Sequence, residues 1–409
     1  MNKKTLILIS IALFAGNLFG SIFDTYGIGR VGINYSVASA GRGYTSALYN
    51  DNKTVNFQNP ASLAMTEYAG FHLGINSHFN DIDPFGSTES LVGFSYGIIK
   101  FPFTKKGGCS IGLVPIASAN STYNIESSDI GYSEQILNNG KIYSANINIG
   151  YKILPFLDVG LGYEFLTGGY NFVKDVSFVD ESMVSAKLTS DLGIDGRQLS
   201  TGVILSLKDK LSFGISYSYI FDINQQIINT YSAKGNYYSL KDTTFSNDKI
   251  FPNKLDISIT YNISKKYRLN LEFLTYGFNN IDKVNPVYES GGINNYSHFG
   301  FGLEKNGENS IFDSFFEKMI FRTGCFYNNN YYHNSSDEAV VSKGITFGIG
   351  IPYNKLKSRI DLSFVWERNS GTIYEEQNID AVNIDENVYR IQISFLTTEK
   401  WFNTKGKYR

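Results

Sequence analysis

The chain has 409 residues and a formal net charge of -2, a balance that gives no basis for binding nucleic acid or a strongly acidic partner. Hydrophobic residues make up 42 %, yet past the N-terminus no run reaches the roughly 18 apolar residues of a spanning helix. With 29 Tyr, 31 Phe and 39 Gly against 8 Pro and 2 Cys, the composition points to a large β protein, not a helical enzyme or a disulfide framework.

Residues 1–20 read as a secretory signal peptide: Lys3 and Lys4 form a basic start, Leu6–Phe14 a short apolar stretch, and Gly20-Ser21 a small-residue cleavage site. No Cys follows that site, which argues against a lipid anchor. Residues 21–67 do not alternate. They carry Gly27, Gly29, Gly32, Gly41 and Gly43, and Asn59-Pro60 reads as a helix cap followed by Pro at the first helical position. This segment is expected to form a compact hatch of short helices.

From Phe71 the pattern changes to period two, and fourteen strands are predicted. The first seven are Phe71–His78, Leu91–Phe101, Cys109–Ser118, Lys141–Lys152, Phe156–Thr167, Leu199–Leu207 and Leu211–Phe221. The rest are Leu255–Ser264, Tyr267–Tyr276, His298–Glu304, Met319–Tyr327, Gly344–Ile351, Ser358–Glu367 and Val388–Phe395. Each has one apolar face, such as Phe213, Ile215, Tyr217 and Tyr219, and one polar or glycine face, such as Ser212, Gly214, Ser216 and Ser218.

That alternation fits either a sandwich or a membrane barrel, and the connections arbitrate. Short turns such as Lys208–Lys210 and Lys265-Lys266 alternate strictly with long loops such as Ala119–Gly140, Gly168–Gln198 and Asp222–Lys254. Barrels of the bacterial outer membrane have this rhythm, and a sandwich has no reason for it. Unpaired backbone groups are not tolerated in lipid, so the sheet must close. The expected fold is therefore all-β, a transmembrane up-and-down antiparallel barrel over residues 68–396, with a basic periplasmic tail at 397–409.

On the polar faces stand Asp158, Glu164, Asp256, Arg268, Glu272, Arg322, Arg359, Asp361 and Arg390, expected to form a polar network in the lumen. His72 and His298 fall on the same faces, His78 at a strand end and His333 in a loop, and none is near a nucleophile in a GxSxG context. There is no CxxC, HExxH or phosphate-loop pattern, so no catalytic site, metal or cofactor is expected. Cys109 and Cys325 read as two small apolar residues on separate strands.

The run AGRGYTSAL at Ala40–Leu48, followed by NPASLA at Asn59–Ala64, resembles the plug segment of the long-chain fatty acid transporters of the bacterial outer membrane, the FadL/OmpP1 family. Phe251–Phe273, Arg322–Tyr332 and Tyr389–Phe395 are similar to that family's later strands. The resemblance implies a fourteen-stranded barrel plugged by an N-terminal hatch, with Gly41, Arg42, Gly43, Asn59, Pro60 and Ala61 as hatch or ligand residues. It implies passive uptake of a fatty acid or hydrocarbon by a monomer in the outer membrane, with lipid and the outer-membrane assembly machinery as partners. Tyr44 and Ser62 stand where the family often has Gly. The alternative is a barrel that anchors or shuttles a protein in a secretion or surface-assembly system, held through its long loops.

Overall fold

In the computed structural model, the described residues are 21–25, 27–32, 35–46, 48, 54–83, 86–89, 93–127, 131–180, 183–208, 210–233, 239–246, 251–278, 294–308, 312–333, 339–353, 358–373 and 382–400. The expected signal peptide at 1–20 and the expected tail beyond residue 400 lie outside them.

Fourteen strands form the wall: β1 Tyr68–Asp83, β2 Gly93–Thr104, β3 Gly107–Ser127, β4 Tyr132–Leu154, β5 Leu157–Phe178, β6 Ala186–Leu207 and β7 Leu211–Ala233. Then come β8 Lys254–Asn262, β9 Tyr267–Tyr276, β10 Tyr296–Lys305, β11 Ile320–His333, β12 Ala339–Tyr353, β13 Ser358–Ile373 and β14 Val382–Lys400. Each pairs antiparallel with the next, and β14 pairs with β1 from Asp385↔Asp83 to Lys400↔Tyr68, which closes the cylinder. Two-residue steps then fix which side chain faces lipid. Ile215, Phe213, Leu161, Phe347 and Phe364 are exposed on the outside, whereas Ser216, Ser218, Thr346, Ser363 and Asp361 are buried in the lumen. This is the predicted transmembrane barrel, strand for strand through its bilayer-spanning zone.

Two expectations are corrected. The stretches Ala119–Gly140, Gly168–Gln198 and Asp222–Lys254 are largely strand, not loop: β3 to β7 run 21 to 23 residues each, while β8 to β10 have 9 or 10. About 9–11 residues cross a bilayer. The surplus therefore rises above the outer surface as a tall wall, extended by a further strand, Ser239–Ser246, paired to β7. These segments read as loops because their inner positions are apolar and their outer ones polar, the reverse of the spanning pattern. Likewise β14 continues through Thr397–Lys400, which pair with β1 and do not join the tail.

A charge on the lipid face should be expensive. Ile215→Arg, near the middle of the β7 span, is expected to destabilise the barrel by about 2–4 kcal/mol. Urea unfolding in lipid vesicles measures it, and an unchanged midpoint would contradict the outward orientation of this strand.

Candidate functional site: the hatch and the lumen it fills

The described residues of the segment 21–67 lie in the lumen as short pieces. Ser36 caps a one-turn helix, Val37–Ala40, by accepting from the Ser39 N–H. As predicted, Asn59 caps a second turn, Pro60–Met65, a 3-10 helix, with its side chain accepting from the Ala61 N–H at 3.0 Å. The same Asn59 amide donates to the Val203 and Ile215 carbonyls of the wall at 3.2 Å each.

The hatch reaches the wall because the lumen-facing positions there lack side chains. A Cβ at Gly348 would strike Gly41, and one at Gly300, Gly302 or Gly324 would strike the Arg42–Thr45 backbone. A Cβ at Gly150 or Gly160 would meet the Pro60–Ala64 turn, and one at Gly202 would meet Asn59. Gly43 has φ +68° and lies against the Phe301 and Cys325 carbonyls, a place only glycine occupies without strain. The glycines of the polar strand faces are thus the seats of the hatch.

Charge then fixes it. Arg42 reaches Glu304 at 2.6 Å, and Glu304 also takes Arg322 at 2.7 Å and Arg268 at 3.4 Å. Arg322 bridges on to Asp361 at 2.8 Å, which pairs with Arg359 at 2.8 Å. Glu304 and Asp361 are shut off from solvent, so each carboxylate is compensated entirely by its arginines. A second anchor holds the middle of the hatch: Glu272 accepts from the Tyr35 hydroxyl at 2.7 Å and from the Ser46 N–H. Lys254 donates to the Gln58 side chain at 2.9 Å. Asp256 is buried two positions along the same strand face.

The arm Ser21–Val31 climbs toward the outer end. Arg30 pairs with Glu367 at 2.8 Å, and Glu367 in turn with Arg390 at 3.1 Å, while Arg390 donates to the Tyr44 hydroxyl at 2.8 Å. Ser21 donates to Glu386 at 2.5 Å. Arg30 and Val31 add as a short strand opposite Ala117 and Ser118 of β3. Tyr170 and Tyr331 donate to the carbonyls of Ile28 and Gly29 at 2.9 and 2.8 Å. Burial pushes the Asp24 carboxyl up to about 7, against the pull of Arg30.

Of the polar residues expected to form one network, Arg268, Arg322, Arg359 and Asp361 are brought together, with Glu304 as the hub. Arg390 belongs to the upper cluster and Glu272 to the middle one. Asp158 pairs only locally with Lys152 at 3.6 Å, and Glu164 accepts from Ser144 at 2.6 Å. Glu304 was legible, since it shares parity with His298 on its strand; Arg30 and Asp24 were not, because nothing local marks an irregular arm as charged cargo. His298 is held between Asn328 at 2.6 Å and the Tyr44 carbonyl at 3.2 Å, and His72 between the Tyr96 hydroxyl and Ser394 at 2.9 and 3.3 Å. Both are braces of the packing. Cys109 and Cys325 carry free thiols.

The lumen is not polar throughout. Around the arm, Phe23, Ile28, Val31 and Tyr35 pack with Ile142, Leu166, Phe172, Leu192, Ile194 and Ile220 of the tall wall. Beside them is a cavity of about 150 Å³, bounded by the charged Arg30, Glu367 and Arg390 and by the rings of Tyr44, Phe94 and Phe326. Charged groups and aromatic rings share this space, which is smaller than the usual ligand pocket.

Solved structures share this architecture. A Pseudomonas aeruginosa FadL homologue superposes with TM-score 0.63 at 11 % identity, covering 89 % of this chain and 98 % of its own. The Ralstonia pickettii toluene transporter TbuX gives 0.58 at 12 %, covering 94 % and 99 %, and the Pseudomonas putida toluene transporter TodX gives 0.58 at 13 %, covering 89 % and 98 %. At this identity the likeness establishes the FadL-type fold. No curated protein matches the chain in sequence. One family model, described as BamG, matches residues 1–409.

Removing the hub charge should loosen the hatch. Glu304→Gln leaves Arg42, Arg268 and Arg322 facing a neutral amide, and a loss of about 3–5 kcal/mol is expected. Equilibrium unfolding reads the loss, and limited proteolysis should then cut within residues 21–67 while sparing the wall. A hatch as protected as in the unaltered protein would show that the ion pairs do not hold it.

Proposed function

The chain belongs to the BamG family, and from that premise we propose that this outer-membrane barrel acts through its outside, as a component that the outer-membrane assembly machinery holds by the tall outer wall. One observation carries this reading: the lumen is closed by its own hatch. The hatch is seated on wall glycines and locked by buried arginine–carboxylate pairs, and the cavity of about 150 Å³ beside the arm is small for a ligand chamber. A barrel filled in this way offers partners its surface, and β3 to β7 give it a rigid sheet standing clear of the bilayer. The name of the family points the same way.

The test is loss and capture. Removing the protein is expected to lower the amounts of other barrels in the outer membrane, measured by quantitative proteomics. A photo-crosslinker at Asp191, exposed on the wall, is expected to capture a component of that machinery. Unchanged barrel levels together with no such capture would overturn the reading.

A second reading is passive uptake of a hydrophobic small molecule, a fatty acid or hydrocarbon. It is favoured by the apolar packing around the arm, from Leu166 and Phe172 to Ile194 and Ile220, which would line an apolar chamber if Ser21–Val31 withdrew. The solved relatives in fold include proteins described as toluene transporters. On this reading, deleting residues 21–67 leaves a folded barrel with raised, non-selective conductance in planar bilayers and altered uptake of toluene into cells. Conductance and uptake equal to those of the intact protein would rule the hatch out as a gate.

A further inference from the structure

The periplasmic end of the barrel carries two features that neither the hatch nor the outer wall uses. The first lies in the connection between β10 and β11, at its described residues 306–308 and 312–319. Phe312 is 98 % exposed there, Phe316 72 % and Phe315 56 %. These rings are not on a loose tail. Ser314 and Glu317 form a reciprocal capping box around the turn Phe315–Lys318, the Glu317 carboxylate accepting from the Ser314 N–H at 2.9 Å. The Glu308 N–H donates to the Glu317 carbonyl at 2.9 Å and the Asn306 N–H to Lys266 at 2.8 Å, so the turn is tied back onto the strand ends.

The second feature is charge. The described periplasmic turns present Lys105, Lys106, Lys208, Lys210, Lys265 and Lys266, all exposed. Glu308 is engaged by Lys266 at 2.7 Å and Glu317 by Ser314, and among the described acids at this end the exposed ones are Glu67, Glu317 and Glu399, fewer than the lysines. The outer end carries both signs, with exposed Asp81, Asp83, Asp180, Asp191, Asp195 and Asp242 beside exposed Lys187, Arg197, Lys241, Lys343 and Arg368. Among the described residues the periplasmic rim therefore has an excess of exposed lysine over exposed acid that the outer end lacks.

We infer that this rim is a phospholipid-binding surface: the three phenylalanines seat in the interfacial layer of the periplasmic leaflet, and the lysine collar binds its anionic phosphates. The aromatic turn continues the lipid-facing band. Leu303 and Phe321, at the ends of the two strands it joins, are both 38 % exposed on the outside of the barrel, and Tyr267 on the neighbouring strand is 50 % exposed. Lys305 already has the posture of a rim cation, its Nζ 5.2 Å from the centre of the Phe321 ring. Aromatic side chains collect at membrane interfaces, and basic residues beside them draw anionic lipid. The bilayer the barrel sits in would cover these rings without any further protein, and the inference is independent of which function the barrel serves.

The full-length protein in nanodiscs tests this. In a background of Trp366→Phe and Trp401→Phe, Phe316→Trp is expected to place an indole that brominated lipid quenches and aqueous iodide does not. In the second arm, Lys105, Lys106, Lys208, Lys210 and Lys265 are replaced by Gln, and native mass spectrometry reads the preference for anionic over zwitterionic lipid. That preference is expected to fall by roughly fivefold per lysine replaced. An indole open to iodide and untouched by bromolipid overturns the seating of the aromatic turn. An unchanged lipid preference in a variant with the unfolding profile of the parent overturns the collar. If the lysine variant fails to fold, the indole arm still decides.

Discussion

Everything in this molecule follows from one restriction: a backbone amide in hydrocarbon must find its partner within the protein. The closure of β14 on β1 over sixteen register pairs is how the chain meets it. Closing fourteen strands leaves a lumen too wide for wall side chains alone to fill. Something must occupy it, and here the occupant is the chain's own first segment.

The fit between hatch and wall is made of backbone more than of side chains. Glycines at 150, 160, 202, 300, 302, 324 and 348 let the Arg42–Thr45 and Asn59–Ala64 segments lie directly on the strands. In that close contact the water is gone, so any charge carried in must be met. Glu304, with Arg42, Arg268 and Arg322 around it, is that compensation. The arrangement ties the hatch to the barrel's interior at each of these places. It also explains why so many lumen positions are charged: they answer one another and the hatch.

The two ends of the cylinder are unequal. Toward the outside, β3 to β7 continue as a free-standing sheet whose inner side is apolar, because the N-terminal arm packs there and supplies Phe23, Ile28 and Val31. Toward the periplasm the turns are short, basic and, between β10 and β11, aromatic. A partner in assembly and a lipid leaflet would therefore meet different surfaces of the same rigid body.

The residues alone determined the barrel, the number of spanning strands, their facing, the short turns and the Asn59 cap, because each rests on neighbours two to four positions away. Period-two alternation and an Asn-Pro step are local facts. The residues also revealed which side chains line the lumen, since Arg322, Asp361 and Glu272 follow from strand parity. What they could not reveal was who meets whom. Arg42 and Glu304 are separated by 262 positions and Arg30 and Glu367 by 337, so their pairing exists only once the cylinder has closed. The outer wall escaped for a related reason: above the bilayer the inside of the sheet is oily and the outside wet, and only the packed arm, a tertiary fact, tells the two patterns apart.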